Sequence, residues 1–249
     1  MAHATYSPVN LASLYELLSD VIPGDHSRQT NARDEVRARI ASGFRPARIL
    51  DLGCGNGNSI DFFLETLPEA TWTGVDIELS PEVLTRERAD ADFVTFDGVH
   101  LPFLTQSFDL IYSYQVFEHV RYPEPLLGEV RRALTDDGLF IGQTSQLEPY
   151  HSFSLWNFTV YGFKQLLETA GLALLAVRPG IDGPTLIERA RLGRPKEMSK
   201  WFSTDSPLNQ SIEAELAMKR RPAKVRNYRK LIVCGQFTFV ARRNGSPMG

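Results

Sequence analysis

The period of apolar and polar positions changes several times along the chain. "NLASLYELLSDVIPG" (10–24) repeats its leucines at helical spacing: Leu14, Leu17, Leu18 and Val21 share one face, Asn10 is placed to cap the start, and Pro23-Gly24 ends it. A second helix is expected over 30–41. From residue 48 onward, short apolar runs of strand length alternate with helical patterns. Strands are expected at 48–52, 71–76, 93–97, 108–113 and 139–144, and helices at 58–66, 80–89, 123–134 and 161–170. Such alternation predicts an α/β fold, a doubly wound, mostly parallel sheet with helices on both faces.

Two further strands, at 172–178 and 231–241, enclose a stretch with helices of its own. One helix starts near Pro184, and another follows Ser206 as cap, with Leu208, Ile212 and Leu216 on one side. A connection this long reads as an insertion. The expected organisation is N-terminal helices over 1–45, a core over 46–180, a helical insertion over 181–230 above the ligand crevice or in a subunit interface, and a last strand with tail over 231–249.

Composition narrows the class. With 249 residues, 43% hydrophobic and 23% charged, the chain can bury one large core. Its start shows no basic region followed by an apolar stretch, no apolar run reaches bilayer length, and Cys54 and Cys234 suit neither a disulfide framework nor a zinc site. A reducing cytoplasm is the expected location. The net charge of −3 argues against a general nucleic-acid binder. The segment 219–230, "KRRPAKVRNYRK", nevertheless gathers seven basic residues and no acidic one. It reads either as a solvated helix end with a loop or as a patch for an anionic substrate, a lipid surface or a partner.

The densest chemistry lies in "ILDLGCGNGNSIDFF" (49–63). An apolar run ends on Asp51, the chain turns through Gly53, Gly55 and Gly57, and a new apolar run begins. A dinucleotide fingerprint requires a third glycine where Asn58 stands, and a P-loop requires a lysine that this stretch lacks. A carboxylate at the strand end repels phosphate but suits a cation or an ammonium group. Glycines allow a sharp turn and close approach of a ligand, and the start of the next helix still offers N–H donors. S-adenosylmethionine (SAM), with an amino-acid end, a sulfonium and no phosphate, meets these terms.

"ILDLGCGNG" resembles motif I of the class I SAM-dependent methyltransferases, type-11-like, and the following segments keep the order of that family. For "WTGVDIE" the resemblance implies that Asp76, followed by Ile77, accepts from the ribose hydroxyls. For "FVTFDGVHLPF" it implies that Asp97, with Gly98, meets the adenine amino group. For "SFDLIYSYQVFEHV" it places Gln115 beside the methionine end. Asp51, Gly53 and Gly55 complete the implied cofactor set. "YPEPLLGEVRRALTDDGLFI" resembles the helix and turn before the fifth strand, with Asp137-Gly138 where the family often has Pro-Gly-Gly. The implied fold is a Rossmann-like seven-stranded sheet, with SAM as cofactor and S-adenosylhomocysteine (SAH) as product.

Acceptors in open α/β sheets sit beyond the carboxyl ends of the strands, here 114–122 and 144–163. The second stretch, "TSQLEPYHSFSLWNFTVYGF", brings Glu148, Tyr150, His151, Trp156, Asn157 and Tyr161 together. Apolar faces beside hydrogen-bonding groups suit a sugar ring. Histidine, titrating at ~6.5 in ordinary surroundings, accepts a proton at cellular pH, so His151 is the first candidate base and His119 the second. Glu148, Tyr150, Trp156 and Glu118 are the candidate acceptor contacts. The aromatics of 153–163 also fit a core segment, and Gln115 also fits a helix cap.

"RPGIDGPTLIERA", with its insertion, resembles a branch acting on glycans and other sugar-containing metabolites. The expectation is O-methylation of a sugar hydroxyl in a bacterial oligosaccharide, polysaccharide or glycolipid pathway, by in-line transfer assisted by a general base. The alternatives are O- or N-methylation of an aromatic or polyketide-like small molecule, and a catalytically silent SAM-binding scaffold. Glu118 and Glu148 offer oxygen to Mg²⁺, but no acidic cluster has a suitable spacing, so no metal is expected. A homodimer through the insertion or the N-terminal helices is compatible with the sequence.

Overall fold

Ile49 and Leu50 are neighbours in the chain, both fully buried, yet they belong to opposite cores. Leu110 and Ile111 divide in the same way. A strand shows this only where both sheet faces are covered, which is the situation of a parallel sheet flanked by helices. In the computed structural model, which describes residues 11–245, seven strands meet this expectation: β1 (Arg48–Leu52), β2 (Thr71–Ile77), β3 (Asp92–Phe96), β4 (Phe108–Tyr114), β5 (Leu134–Ser145), β6 (Leu172–Pro179) and β7 (Gln236–Arg243). Their order is β3-β2-β1-β4-β5-β7-β6. β1 pairs in parallel with β2 and β4, β2 with β3 and β4 with β5, while β7 runs antiparallel between β5 and β6. Strand order therefore reverses between β1 and β4, and a crevice opens beyond their carboxyl ends.

The helices are α1 (Leu11–Leu18), α2 (Ala32–Ala41), α3 (Ile60–Thr66), α4 (Pro81–Leu84), α5 (Pro123–Ala133), α6 (Val160–Thr169), α7 (Gly183–Arg191), α8 (Pro207–Met218) and α9 (Ala223–Leu231). α2 starts where Asn31 accepts from Asp34 N–H and the Asp34 side chain reciprocates. α6 starts where Thr159 accepts from Gly162 N–H. Phe163 of α6 is fully buried and meets the rings of Phe117, Phe158, Phe237 and Phe239, which joins helix, β7 and the β4 exit in one aromatic cluster.

Several expectations are corrected. Asn10 lies outside the described residues, and Leu17 is exposed while Leu18 and Val21 are buried. The helix expected over 80–89 is only α4, because Arg86 turns back to donate to the Gly55 carbonyl and Arg88 pairs with Asp61 and Asp90. Asp137-Gly138 makes no turn. It lies inside β5, where the bare Gly138 leaves room for Leu134 and Thr135. Ser206 does not cap α8 with its hydroxyl, which donates instead to Gln29.

The stretch 231–241 is not a single strand. Helix α9 takes 223–231 from Pro222 onward, burying Tyr228 and Leu231 in the main core, and β7 begins only at Gln236. The basic stretch is therefore mostly helical, and part of its charge is internal. Lys230 is fully buried and donates to the Ser27 carbonyl and to Glu213, which also pairs with Arg226. Gln29 accepts from Ser206 and Asn209 and donates to the Trp201 carbonyl, and Asn227 donates to the Pro23 carbonyl. Residues 23–30 and the insertion thus form one cap on the antiparallel side of the sheet. No helix among the described residues is long and apolar enough to cross a membrane.

Replacing Phe163 by Ala empties the centre of the aromatic cluster and is expected to lower the unfolding free energy by about 3–5 kcal/mol. Urea unfolding of the two proteins measures this directly.

Candidate active site

The glycine bend leaves β1 at the reversal point. Gly53 has φ +74°, and a Cβ there would lie 2.3 Å from Val116 Cγ2, so the bend packs directly on the chain leaving β4. Gly53 N–H donates to the Val75 carbonyl, and Gly55 N–H donates to Asp76 Oδ2 at 2.7 Å. Asp76 Oδ1 takes the N–H of Ile77, also at 2.7 Å. Burial raises the Asp76 carboxyl above its ordinary value against these two bonds. One bond on each oxygen leaves lone pairs for a diol. Ile77 is exposed next to Gly98, whose φ is +87° and whose missing side chain keeps that flank open.

Asp51 lies behind the bend, fully buried, and accepts from the Ser59 hydroxyl, which itself accepts from Trp72 Nε1 at 3.0 Å. Burial pushes its carboxyl up to about 7, the Ser59 bond and Arg33 opposing and Asp76 adding to the shift. Asp97 behaves differently. It is exposed and accepts from the N–H groups of Val99 and His100 and from the His100 ring, which holds it down at about 2. Its first duty is therefore to shape the turn after β3.

Beyond β4, Gln115 takes a left-handed backbone, φ +56°, unusual for a residue with a side chain. Its amide nitrogen, turned toward the neighbouring carboxyls, lies 2.8 Å from Glu118 Oε1 and 3.2 Å from Glu148 Oε2. Glu118 is completely buried in the 3₁₀ turn Phe117–His119 and accepts from Thr144 at 2.9 Å and Ser145 at 3.3 Å. Glu148 accepts from Ser145 at 2.6 Å and from Gln236 at 2.9 Å. Burial, reinforced by Glu148, pushes Glu118 up to about 7. The rings of His119 and His151 meet edge to face, 5.3 Å between centroids, and His151 Nδ1 is 3.7 Å from Glu148 Oε1. Burial and then the His151 charge lower His119 below its ordinary value, against a backbone hydrogen bond to Phe153.

The expected acceptor residues thus divide. Glu118, His119, Glu148 and His151 come together. Tyr150 stands largely in solvent, and Trp156 is half exposed with its Nε1 donating to the Val120 carbonyl. Phe158 belongs to the core but Phe153 is exposed, so 153–163 is only partly a core segment. A cavity of about 140 Å³ borders the cluster, lined by Glu148, His151, Leu186, Arg189 and Arg194 among others.

Sequence reasoning passed over Thr144, Ser145 and Gln236, which hold the carboxyls. Their signal was a polar run, "GQTSQ", at the end of a strand whose every residue from Gly142 to Ser145 is buried. It also passed over Arg86, whose guanidinium donates to the Gly55 carbonyl and lies 3.9 Å over the Phe93 ring.

Residues 50–142 match the family model described as "Methyltransferase domain". The chain is 29% identical over 112 residues to the phthiotriol/phenolphthiotriol dimycocerosates methyltransferase of Mycobacterium tuberculosis, covering 44% of this chain and 41% of that protein. It is 34% identical over 125 residues to the malonyl-[acyl-carrier protein] O-methyltransferase of Geobacter sulfurreducens, 47% of each. The chain therefore spans about half the length, or less, of these curated relatives. An S-adenosylmethionine-dependent methyltransferase from Mesorhizobium loti superposes with a TM-score of 0.52 at 22% identity, over 85% of this chain and 98% of that one. Glycine bend and family match coincide on residues 50–142, which match the methyltransferase domain, and the whole chain has the Rossmann-like α/β fold of a solved S-adenosylmethionine-dependent methyltransferase.

Proposed function

We propose that the protein transfers the methyl group of SAM to a hydroxyl oxygen of a sugar-containing acceptor. The donor set at the bend fits SAM, since two buried or half-buried carboxyls, Asp51 and Asp76, flank it and would oppose a phosphate. Asp76 is assigned to the ribose diol, Ile77 and Gly98 to the adenine face, and Gly53, Gly55 and Gln115 to the amino-acid end. Asp97 serves the adenine edge only through the turn it shapes. SAM supplies a methyl carbon bonded to a positive sulfur.

The observation that carries the reading on the acceptor side is the meeting of His119 and His151 with Glu118 and Glu148 beside a cavity, where the β4 and β5 exits converge. Glu148 orients His151, whose imidazole takes the hydroxyl proton as the oxygen bonds to the methyl carbon and the methyl–sulfur pair returns to sulfur. Tyr150 and Trp156 offer exposed ring faces at the mouth. Arg189 and Arg194 in the cavity wall favour an acceptor with an anionic group, a sugar acid or a phosphate. This reading moves the anion site to α7 and its exit and away from 219–230, where Lys230 and Arg226 are already engaged.

A second reading rests on the exposed Leu147, Phe153 and Leu155 and on relatives named for lipid and acyl acceptors. In it, an acyl chain lies along that loop and presents a hydroxyl or carboxyl to the same base. Incubation with deuterated-methyl SAM and parallel sets of glycosides and acyl acceptors, read by mass spectrometry, separates the two. Label is expected in glycosides, and label confined to acyl compounds overturns the sugar assignment. His151→Ala is expected to lower kcat by about 10²–10⁴ with KM for SAM unchanged. Equal turnover by the variant removes His151 as base.

Asp51 makes the donor half testable through pH. Its folded-state value of about 7 lies above the ordinary 3.8, so protonated Asp51 favours the fold. That contribution is complete below 3.8, declines as pH rises and is gone above about 7. It amounts to on the order of 4 kcal/mol. In the SAM-free protein, Asp51→Asn is expected to make this decline shallower by the share of Asp51, leaving that of Glu118, as urea unfolding at stepped pH would record. An ammonium arriving nearby favours ionised Asp51, so SAM binding near pH 6 should release a proton in the wild type and none in the variant, measured by calorimetry in buffers of different ionisation enthalpy.

A further inference from the structure

We propose that Glu118, His119 and His151 form a binding site for a divalent transition-metal ion of the Zn²⁺, Co²⁺ or Mn²⁺ kind, at the acceptor end of the cleft. Each side chain offers one ligand atom, and all three atoms lie within 4.8 Å of one another. Bonds of about 2.0–2.2 Å require ligands roughly 3–3.5 Å apart, so small rotations of the two imidazoles close the set. Spacing along the chain hides the cluster. His119 follows Glu118 directly, but His151 reaches it only because the segment after β5 folds back: the N–H groups of Leu155 and Trp156 both donate to the Glu118 carbonyl.

Three observations beyond proximity point to a cation. Each histidine has a backbone carbonyl for one ring nitrogen, Pro149 for His151 Nδ1 at 3.3 Å and Phe153 for His119, which leaves the other nitrogen's lone pair unclaimed. A carbonyl that fixes the tautomer and aims the ring is the usual outer support of a metal-bound imidazole. Glu118 is completely buried beside Glu148, and among the described residues no lysine or arginine forms a salt bridge with either. Two carboxyls drawn inside without a fixed cation favour a positive ion. The donor set also selects the kind of ion. Two imidazoles with one carboxylate suit first-row transition metals, whereas Mg²⁺ prefers oxygen alone. Three protein ligands leave positions open for an acceptor oxygen, and His151 and Glu148 already line the adjoining cavity.

The role follows from the methyl-transfer reading and rests on it. An ion held by Glu118, His119 and His151 would polarise the acceptor hydroxyl and lower its pKa, and Glu148 would then take the proton that His151 takes in the metal-free protein. Metal binding itself is independent of that reading and is measured without donor or acceptor. Chelator-treated protein is titrated with Co²⁺ and Zn²⁺, following visible Co²⁺ absorption and calorimetric heat, with Mg²⁺ in parallel. One equivalent is expected to bind, with nitrogen-ligand absorption. Glu118→Gln and His119→Ala are expected to weaken binding at least about 100-fold, beyond the loss of an outer partner. SAH binding, measured on each protein, reports whether the fold is intact. No binding of Co²⁺ or Zn²⁺ to wild type, a preference for Mg²⁺, or undiminished binding by variants that still bind SAH overturns the site. Metal binding without SAH binding would leave the site standing and remove the methyltransferase reading.

Discussion

Asp51 and Glu118 are carboxyls enclosed by protein, held by the hydroxyls of Ser59, Thr144 and Ser145 and by no salt bridge among the described residues. Burying an acid without a fixed countercharge opposes its ionisation and leaves the neighbourhood receptive to positive charge. The two sit at the carboxyl ends of adjacent parallel strands, β1 and β4, on either side of the sheet's reversal point. A structure with arginines in those places would be more stable when empty and less fit to take a cationic ligand. The cleft is thus defined by charges that the fold declines to neutralise.

Sheet topology explains why these groups meet. β1 and β4 pair in parallel, so the glycine bend and the Gln115 turn leave the sheet side by side, and Val116 fills the space that a side chain on Gly53 would need. The antiparallel β7 then brings Gln236 between Gln143, from which it accepts, and Glu148, to which it donates, so the far end of the chain supports the carboxyl cluster. The glycine bend and the cluster of Glu118 and Glu148 are therefore joined at one edge of the crevice, through the packing of Val116 on Gly53 and the side-chain hydrogen bonds of Gln236.

The core was largely legible in the sequence because its signals are local. Strand-length apolar runs between helical periods, the turn residues after Asp51, and Asp76 at the next strand end all reflect the geometry of a few consecutive residues. What stayed hidden depends on distance. Helix α9 was read as loop and strand because its burial comes from Tyr228 and Leu231 packing on a core that sequence does not display, and because Lys230 is satisfied by partners far away. The meeting of His119 with His151 was equally invisible, since it depends on the chain returning to the Glu118 carbonyl. Asp97 shows the opposite limit. The family pattern marks the position, but the turn bonds that engage its carboxylate belong to local geometry that such a pattern does not resolve.

The cap joining residues 23–30 to the insertion bears on how the molecule is made. Ser27 and Gln29 find their partners about 170–200 positions further on, in Trp201, Asp205, Glu213 and Lys230. A ribosome delivering the chain in order leaves this early segment without its mates until nearly all of the protein has emerged. The glycine bend, by contrast, can form against β2 soon after its own synthesis. Closure of such distant loops is slow, so the cap is assembled last, on a glycine bend already in place.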